Sequence, residues 1–179
     1  MQKKLFVIML LVALFATGCV RNQPQTAIPS TPQKKITVDI SQARYSDKTV
    51  EISLQPVVKE KSGIFKERVN SFALFVVNKS PNDLRLSWDD SYFIENGQAK
   101  GGFMFEGVSY ANRDAPKKDL LVLPNSKVAL EVFPTSRVMH SEIGWLHAAM
   151  NDGEYGGYFK LTGKNYQKQV KLIATIGSE

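Results

Sequence analysis

Cysteine and histidine, which often act as nucleophiles, bases and metal ligands, are scarce in this chain of 179 residues. There is one cysteine, Cys19, and there are two histidines, His140 and His147. A single thiol cannot form an internal disulfide, and the sequence has neither HExxH nor a paired cysteine motif for zinc. We expect both histidines to be solvated at the surface. The alternative is a metal ion held by both histidines together with Glu142 or Asp152. We predict no metal site and no cofactor.

The acidic and hydroxyl residues do not form a catalytic pattern either. The chain has no Gly-x-Ser-x-Gly motif. Asp89 and Asp90 are adjacent, so on a strand they face opposite sides and are poorly placed to flank one glycosidic bond. We expect Asp89 to accept backbone hydrogen bonds at a strand end or turn and Asp90 to be solvated. The pairs Gly101-Gly102 and Gly156-Gly157 are expected in bulges or tight loops. We predict that the chain is not an enzyme.

Aromatic residues are the one group that indicates binding. Six of them lie within 23 positions around Asn96-Gly97: Trp88, Tyr92, Phe93, Phe103, Phe105 and Tyr110. Their spacing favours core packing, with Phe103 and Phe105 on one face of a strand. In the alternative, some of them form an exposed recognition face near Arg113, Lys117 and Lys118. The candidate binding residues are Trp88, Tyr92, Tyr110 and Arg113.

Cys19 stands at the end of a short apolar run. Lys3 and Lys4 precede the run from Leu5 to Ala16, and small residues follow it before the cysteine. A basic start, a short apolar stretch and a small-residue cleavage site are typical of a secretory signal, and the run is shorter than the 20 or so residues of a membrane-spanning helix. An uncleaved membrane anchor is the alternative.

The segment Ala16-Thr17-Gly18-Cys19 resembles the lipobox of bacterial lipoproteins, although Ala16 stands where that motif more often has leucine. The resemblance implies cleavage before Cys19, diacylglycerol on its sulfur and an N-acyl chain such as palmitate. Two or three acyl chains make membrane attachment effectively permanent. Val20, rather than aspartate, after the cysteine implies outer-membrane sorting where the source has two membranes.

Residues 20–35 connect this signal to the rest of the chain. Three prolines among Gln, Thr and Asn favour an extended tether, and these sixteen residues reach roughly 50 Å. The lipidated cysteine and the flexible tether together span residues 19–35. Removal of residues 1–18, with Lys3 and Lys4, lowers the formal net charge from +6 to +4. That modest, scattered positive charge suits anionic headgroups, cell-wall polymers or an acidic partner better than nucleic acid.

Beyond the tether, the hydrophobic period changes to two. Ile36, Val38 and Ile40 alternate with polar residues, and the same holds for residues 52–56 and 170–176. Residues 70–78 are apolar on both faces and predict a central strand. Turns are predicted at four places: residues 78–83, 96–97, 124–127 and 162–165. About seven to nine short strands predict an all-β, immunoglobulin-like sandwich over residues 36–177. Residues 141–151 are expected to form a helical turn or a structured loop.

The block from Asn78 to Trp145 resembles a recurrent family of small bacterial exported proteins and lipoproteins with an immunoglobulin-like sandwich. The matching residues are Asn78, Trp88-Asp89, Asn96-Gly97, Gly107 to Tyr110, Pro124 and Gly144-Trp145. The resemblance implies fold and export to the cell envelope, and no activity is established for that family.

These patterns lead to one expected function and two alternatives. We expect a lipid-anchored envelope protein whose β-sandwich binds another envelope protein or belongs to an envelope complex. The first alternative is an exclusion or inhibitor lipoprotein of the kind that phages and plasmids encode. The second is a carbohydrate-binding module or hydrolase.

Overall fold

The computed structural model describes residues 35–59, 67–142 and 144–179, and almost every element in them is a β-strand. The strands are β1 (Ile36–Gln42), β2 (Arg44–Ser46), β3 (Val50–Lys59), β4 (Arg68–Asn78), β5 (Leu84–Glu95), β6 (Gln98–Ala99), β7 (Phe103–Phe105), β8 (Leu120–Val122), β9 (Lys127–Pro134), β10 (Val138–Ser141), β11 (Gly144–His147), β12 (Gly153–Gly163) and β13 (Tyr166–Ser178). Two single 3₁₀ turns, Tyr110–Asn112 and Thr135–Arg137, complete the described residues. The predicted all-β class is confirmed.

Two antiparallel sheets form the sandwich. One sheet has the order β1-β13-β12-β5-β6, with β8 also paired to β5, and the other has the order β2-β3-β4-β9-β7. The orders β3-β4-β9-β7 and β13-β12-β5-β6 correspond to strands A-B-E-D and G-F-C-C′ of an immunoglobulin domain. Seven strands have seven or more residues, as the predicted count requires, and the other six are short pieces at edges and loops.

The core lies between the two sheets and follows the predicted alternation. In β3, Val50, Ile52 and Leu54 are fully buried, and β13 buries every second residue from Val170 to Ile176. β4 pairs with β3 on one side and β9 on the other, so the predicted central strand is confirmed. β1 differs from the prediction because it is an edge strand with an irregular register after Asp39, and Ile40 is 44% exposed.

The turns that join the strands match the predicted turn chemistry. Asn96 and Gly97 both have positive φ (48° and 80°), as a type I′ hairpin between β5 and β6 requires. Asn165 (φ 59°) closes the β12–β13 hairpin. The buried Asn78 side chain organises the loop after β4, because its amide donates to the Asn82 and Val122 carbonyls at 2.7 and 3.0 Å.

Two local predictions were wrong. The helical alternative for residues 141–151 is replaced by the β10–β11 hairpin, whose four cross-strand pairs include Met139 with Leu146 and His140 with Trp145. Gly144 has a φ of 110°, which a regular helix cannot accommodate. Gly156-Gly157 lie in the paired interior of β12 and not in a bulge or loop. Glycine is needed at both positions because β13 and core rings approach the strand too closely for a side chain.

Candidate binding site

A large bulge in β5 creates the main irregularity of the sandwich. Two steps along β12, from Tyr158 to Lys160, are matched by five steps along β5, from Tyr92 to Ser87. The buried positions of β5 change phase across this bulge, from Trp88 before it to Ser91 after it. Bulges of this kind re-aim side chains and are frequent near functional sites.

The two adjacent aspartates make separate contacts, as the predicted opposite orientation implies, and both lie in the bulge. Asp89 accepts the backbone N–H of Lys117 at 3.0 Å, which confirms the expected backbone hydrogen bond, although the residue lies within a strand and not at its end. Asp90 is half exposed and accepts the Lys160 ammonium at 2.8 Å on the other side of the bulge. The hydrogen bond from Lys160, with a second from Ser87, lowers the pKa of Asp90. The two carboxylates therefore serve separate contacts.

Residues 106–119, which we call the crossing loop, connect β7 to β8 and therefore pass from one sheet to the other. Lys117 fastens one end of this loop: its main chain donates to Asp89, and its ammonium donates to the carbonyls of Arg113 and Ala115 at 2.7 and 3.1 Å. Phe105, the last residue of β7 before the loop, packs on Trp88 with ring centroids 4.6 Å apart. The loop is thus attached to the bulge of β5.

A pocket of about 180 Å³ lies between the bulge and the crossing loop. Its lining includes the edge of the buried Trp88, the half-exposed ring of Tyr92, and the side chains of Asp89, Arg113 and Asp114. An aromatic surface surrounded by a few charged groups is suited to recognition of a polar partner.

The same pocket offers little for covalent chemistry. The Ser91 hydroxyl is buried and donates to the carbonyl of Ser87, so it is not paired with a base. The Arg113 guanidinium lies 3.3 Å from Asp114 and also 3.3 Å from the Tyr110 carbonyl. Both of these contacts lie within the crossing loop, so they engage the guanidinium locally.

Next to the pocket, the crossing loop packs on the β10–β11 hairpin through four side chains that we call the aromatic ledge: Tyr110, Arg113, Trp145 and His147. Tyr110 stacks on Trp145, with centroids 4.8 Å apart and planes at 8°, and the Arg113 guanidinium carbon lies 5.5 Å from the centre of the Trp145 ring. Tyr110 Oη lies 2.8 Å from His147 Nε2. The ledge therefore joins two elements that are distant in sequence.

The four candidate binding residues lie in one region of the domain but in unlike surroundings. Tyr92 is 44% exposed, whereas Trp88 is 4% exposed and belongs to the core. Tyr110 and Arg113 are half-buried in the aromatic ledge. The contribution of His147 to this region was not predicted from the sequence. Its only signal was that His147 stands two residues after Trp145, on the same face once the segment is a strand.

Cys19 and the tether up to residue 34 lie outside the described residues. In the described ranges, no three His, Cys, Asp or Glu side chains come close enough to bind a metal ion. His140 and His147 lie on neighbouring strands of the hairpin, and Trp145 and Val138 are their respective cross-strand partners. No helix among the described residues has the length and apolar character that a membrane crossing requires.

Comparison with known proteins returned no relative: no family model, no curated protein and no solved structure matches the chain.

Proposed function

We propose that the chain is a lipid-anchored protein of the bacterial cell envelope whose immunoglobulin-like domain is a non-catalytic binding module. The observation that carries the proposal is the position of the chain's only cysteine, directly after an apolar run and the small residues Thr17 and Gly18. Thioether attachment of diacylglycerol to Cys19, with an N-acyl chain, would hold residues 20–35 at the membrane and the domain beyond them.

The site geometry supports binding over catalysis. The pocket beside Tyr92 has an exposed aromatic ring, while its serine hydroxyl and its arginine are engaged in structural contacts. Immunoglobulin-like sandwiches serve many functions, so the fold alone does not indicate binding and the support comes from this site. The partner we propose is another envelope protein, contacted through the surface around Tyr92.

The anchor is tested by fractionation of cells that express the full chain. Replacement Cys19→Ala removes the acceptor sulfur, so we expect loss of acyl labelling and release of the protein from membranes. Gly18→Ala keeps a small residue before the cysteine and is the matched control, with acylation retained. Membrane attachment of the Cys19→Ala variant at the wild-type level would refute the lipid anchor.

The binding surface is tested separately by photo-crosslinking in intact cells. A photoreactive phenylalanine analogue replaces Tyr92 in one strain and Phe75 in another. Phe75 is a matched control because it is similarly exposed (37%) but lies on β4 in the opposite sheet. We expect a discrete crosslinked envelope protein from position 92 and none from position 75. Crosslinks from position 75 alone, or none from either position, would contradict the proposed surface.

A further inference from the structure

The hydrogen bond between Tyr110 and His147 links the crossing loop to the β10–β11 hairpin. The loop has a second attachment at Lys117, but that attachment goes to β5 and not to the hairpin. On the hairpin side, contact is made by the Tyr110–Trp145 stack, the Arg113–Trp145 contact and the 2.8 Å hydrogen bond to His147. Loss of the hydrogen bond therefore affects one end of the loop only.

His147 is surrounded by more positive than negative groups. Its ring packs against Phe133 of β9 at a centroid distance of 4.3 Å and against the edge of Tyr110. Lys59 of β3 and Arg68 of β4 act on it as positive charges, and Glu131 of β9 acts as the negative one. Glu131 is itself engaged, since it accepts the Lys59 ammonium at 2.6 Å and the Ser71 hydroxyl.

One nitrogen of His147 has no hydrogen-bond partner among the residues that the structure describes. That nitrogen is Nδ1, which is buried, while Nε2 contacts Tyr110. When the ring is neutral, the free-energy cost of the site is one missing hydrogen bond at Nδ1. When the ring is charged, Nδ1 carries a proton that meets no acceptor among the described residues, and the desolvated positive charge adds a further cost. The site is built for the neutral form of His147.

We propose that Tyr110 and His147 form an acid-sensitive clasp, in which protonation of His147 releases the Tyr110 end of the crossing loop from the hairpin and exposes Trp145. The Lys117 end stays attached to Asp89 and acts as the hinge. The proposal concerns the folded domain and does not depend on the lipid anchor.

The electrostatics support the direction of this switch. Burial lowers the pKa of His147, Lys59 and Arg68 lower it further, and Glu131 opposes them. Because the folded, clasped state binds the proton less tightly than the open state does, the stability that neutral His147 contributes is complete above pH 6.5. That stability is lost as the pH falls below 6.5 through the lowered pKa of the clasped ring.

The chain carries its own controls, with two histidines and two tryptophans. An NMR titration of the full chain in detergent micelles follows the ring protons of both histidines. His140 is exposed on the same hairpin, and its ring protons are assigned separately. We expect His147 to titrate below the ordinary histidine value of 6.5. Titration of His147 at or above pH 6.5 would overturn the clasp.

The structural consequence is followed by acrylamide quenching of tryptophan fluorescence. Trp88 is 4% exposed and reports the core, so the difference between wild type and Trp145→Phe isolates Trp145. We expect the quenching constant of Trp145 to rise at least twofold between pH 7.5 and pH 5, with Trp88 unchanged.

A second variant makes the test specific to His147. Gln at position 147 keeps a polar side chain but cannot titrate, so His147→Gln should give a Trp145 signal that is constant over the same pH range. His140→Gln is the matched control and should retain the pH-dependent rise. A rise that survives in His147→Gln, or no rise in wild type, rejects the proposal.

Discussion

Trp88 and Tyr92 lie four positions apart on β5, but they differ in what their removal should do. Trp88 is buried against Phe105, whereas Tyr92 is 44% exposed. We expect Trp88→Ala to lower the free energy of unfolding by about 3–5 kcal/mol because it leaves a cavity. Tyr92→Ala, the matched control, should change it by less than about 0.5 kcal/mol. Urea denaturation measures both, and equal effects of the two substitutions would contradict the assigned core.

Ionisation of the Asp47 carboxylate contributes to the stability of the domain. Burial opposes its ionisation, but hydrogen bonds from the Val50 and Thr49 amides and the Tyr45 and Tyr166 hydroxyls outweigh burial and lower its pKa. The stability it contributes is therefore present above pH 3.8 and is lost as the pH falls through the lowered pKa.

The substitution Asp47→Asn tests this contribution because asparagine has nearly the same shape but does not titrate. We expect the variant to be less stable by about 1–3 kcal/mol at pH 7 and to lose less additional stability than wild type below pH 4. Chemical denaturation at several pH values compares the two proteins. Parallel stability curves over the acid range would show that Asp47 is not the group responsible.

At the scale of elements, β12 depends on two glycines that make a close approach possible. A Cβ on Gly156 would lie 1.9 Å from the carbonyl oxygen of Leu172 in β13. We expect Gly156→Ala to destabilise the domain by about 3 kcal/mol. Gly97→Ala is the control, since it meets no neighbour within 4 Å and costs only the strain of a positive φ, about 1 kcal/mol. Thermal unfolding that ranks the two variants in the opposite order would contradict the observed β12–β13 packing.

The elements differ in how far the sequence could predict them. Alternation along β3 and β13 encodes which face is buried, and Asn96-Gly97 encodes its own turn, so these features were predictable from short segments. The β5 bulge and the stack of Tyr110 on Trp145 depend on contacts between residues far apart in the chain. The prediction for residues 141–151 was wrong because apolar residues three, four and seven positions apart fit a helix, but over so few residues they fit a short hairpin equally well.

On the scale of the whole molecule, the described domain has a defined place for the tether to enter. Lys35 exchanges two backbone hydrogen bonds of 3.0 Å with Glu179, so the chain passes directly into the edge strand β1 beside β13. If residues 20–35 form the proposed tether, a domain attached in this way would be able to turn its Tyr92 surface towards the proposed partner beside the membrane. Burial of apolar side chains between the two sheets explains the fold. The lipobox-like segment and the exposed aromatic surface are the grounds for the proposed function.

Mass spectrometry of the mature protein from its native envelope tests the central claim most directly. We predict that Cys19 is the first residue of the mature chain and carries diacylglycerol on sulfur, together with an N-acyl group. A mature protein that retains Met1, or whose Cys19 is an unmodified thiol within the chain, would contradict lipid anchoring.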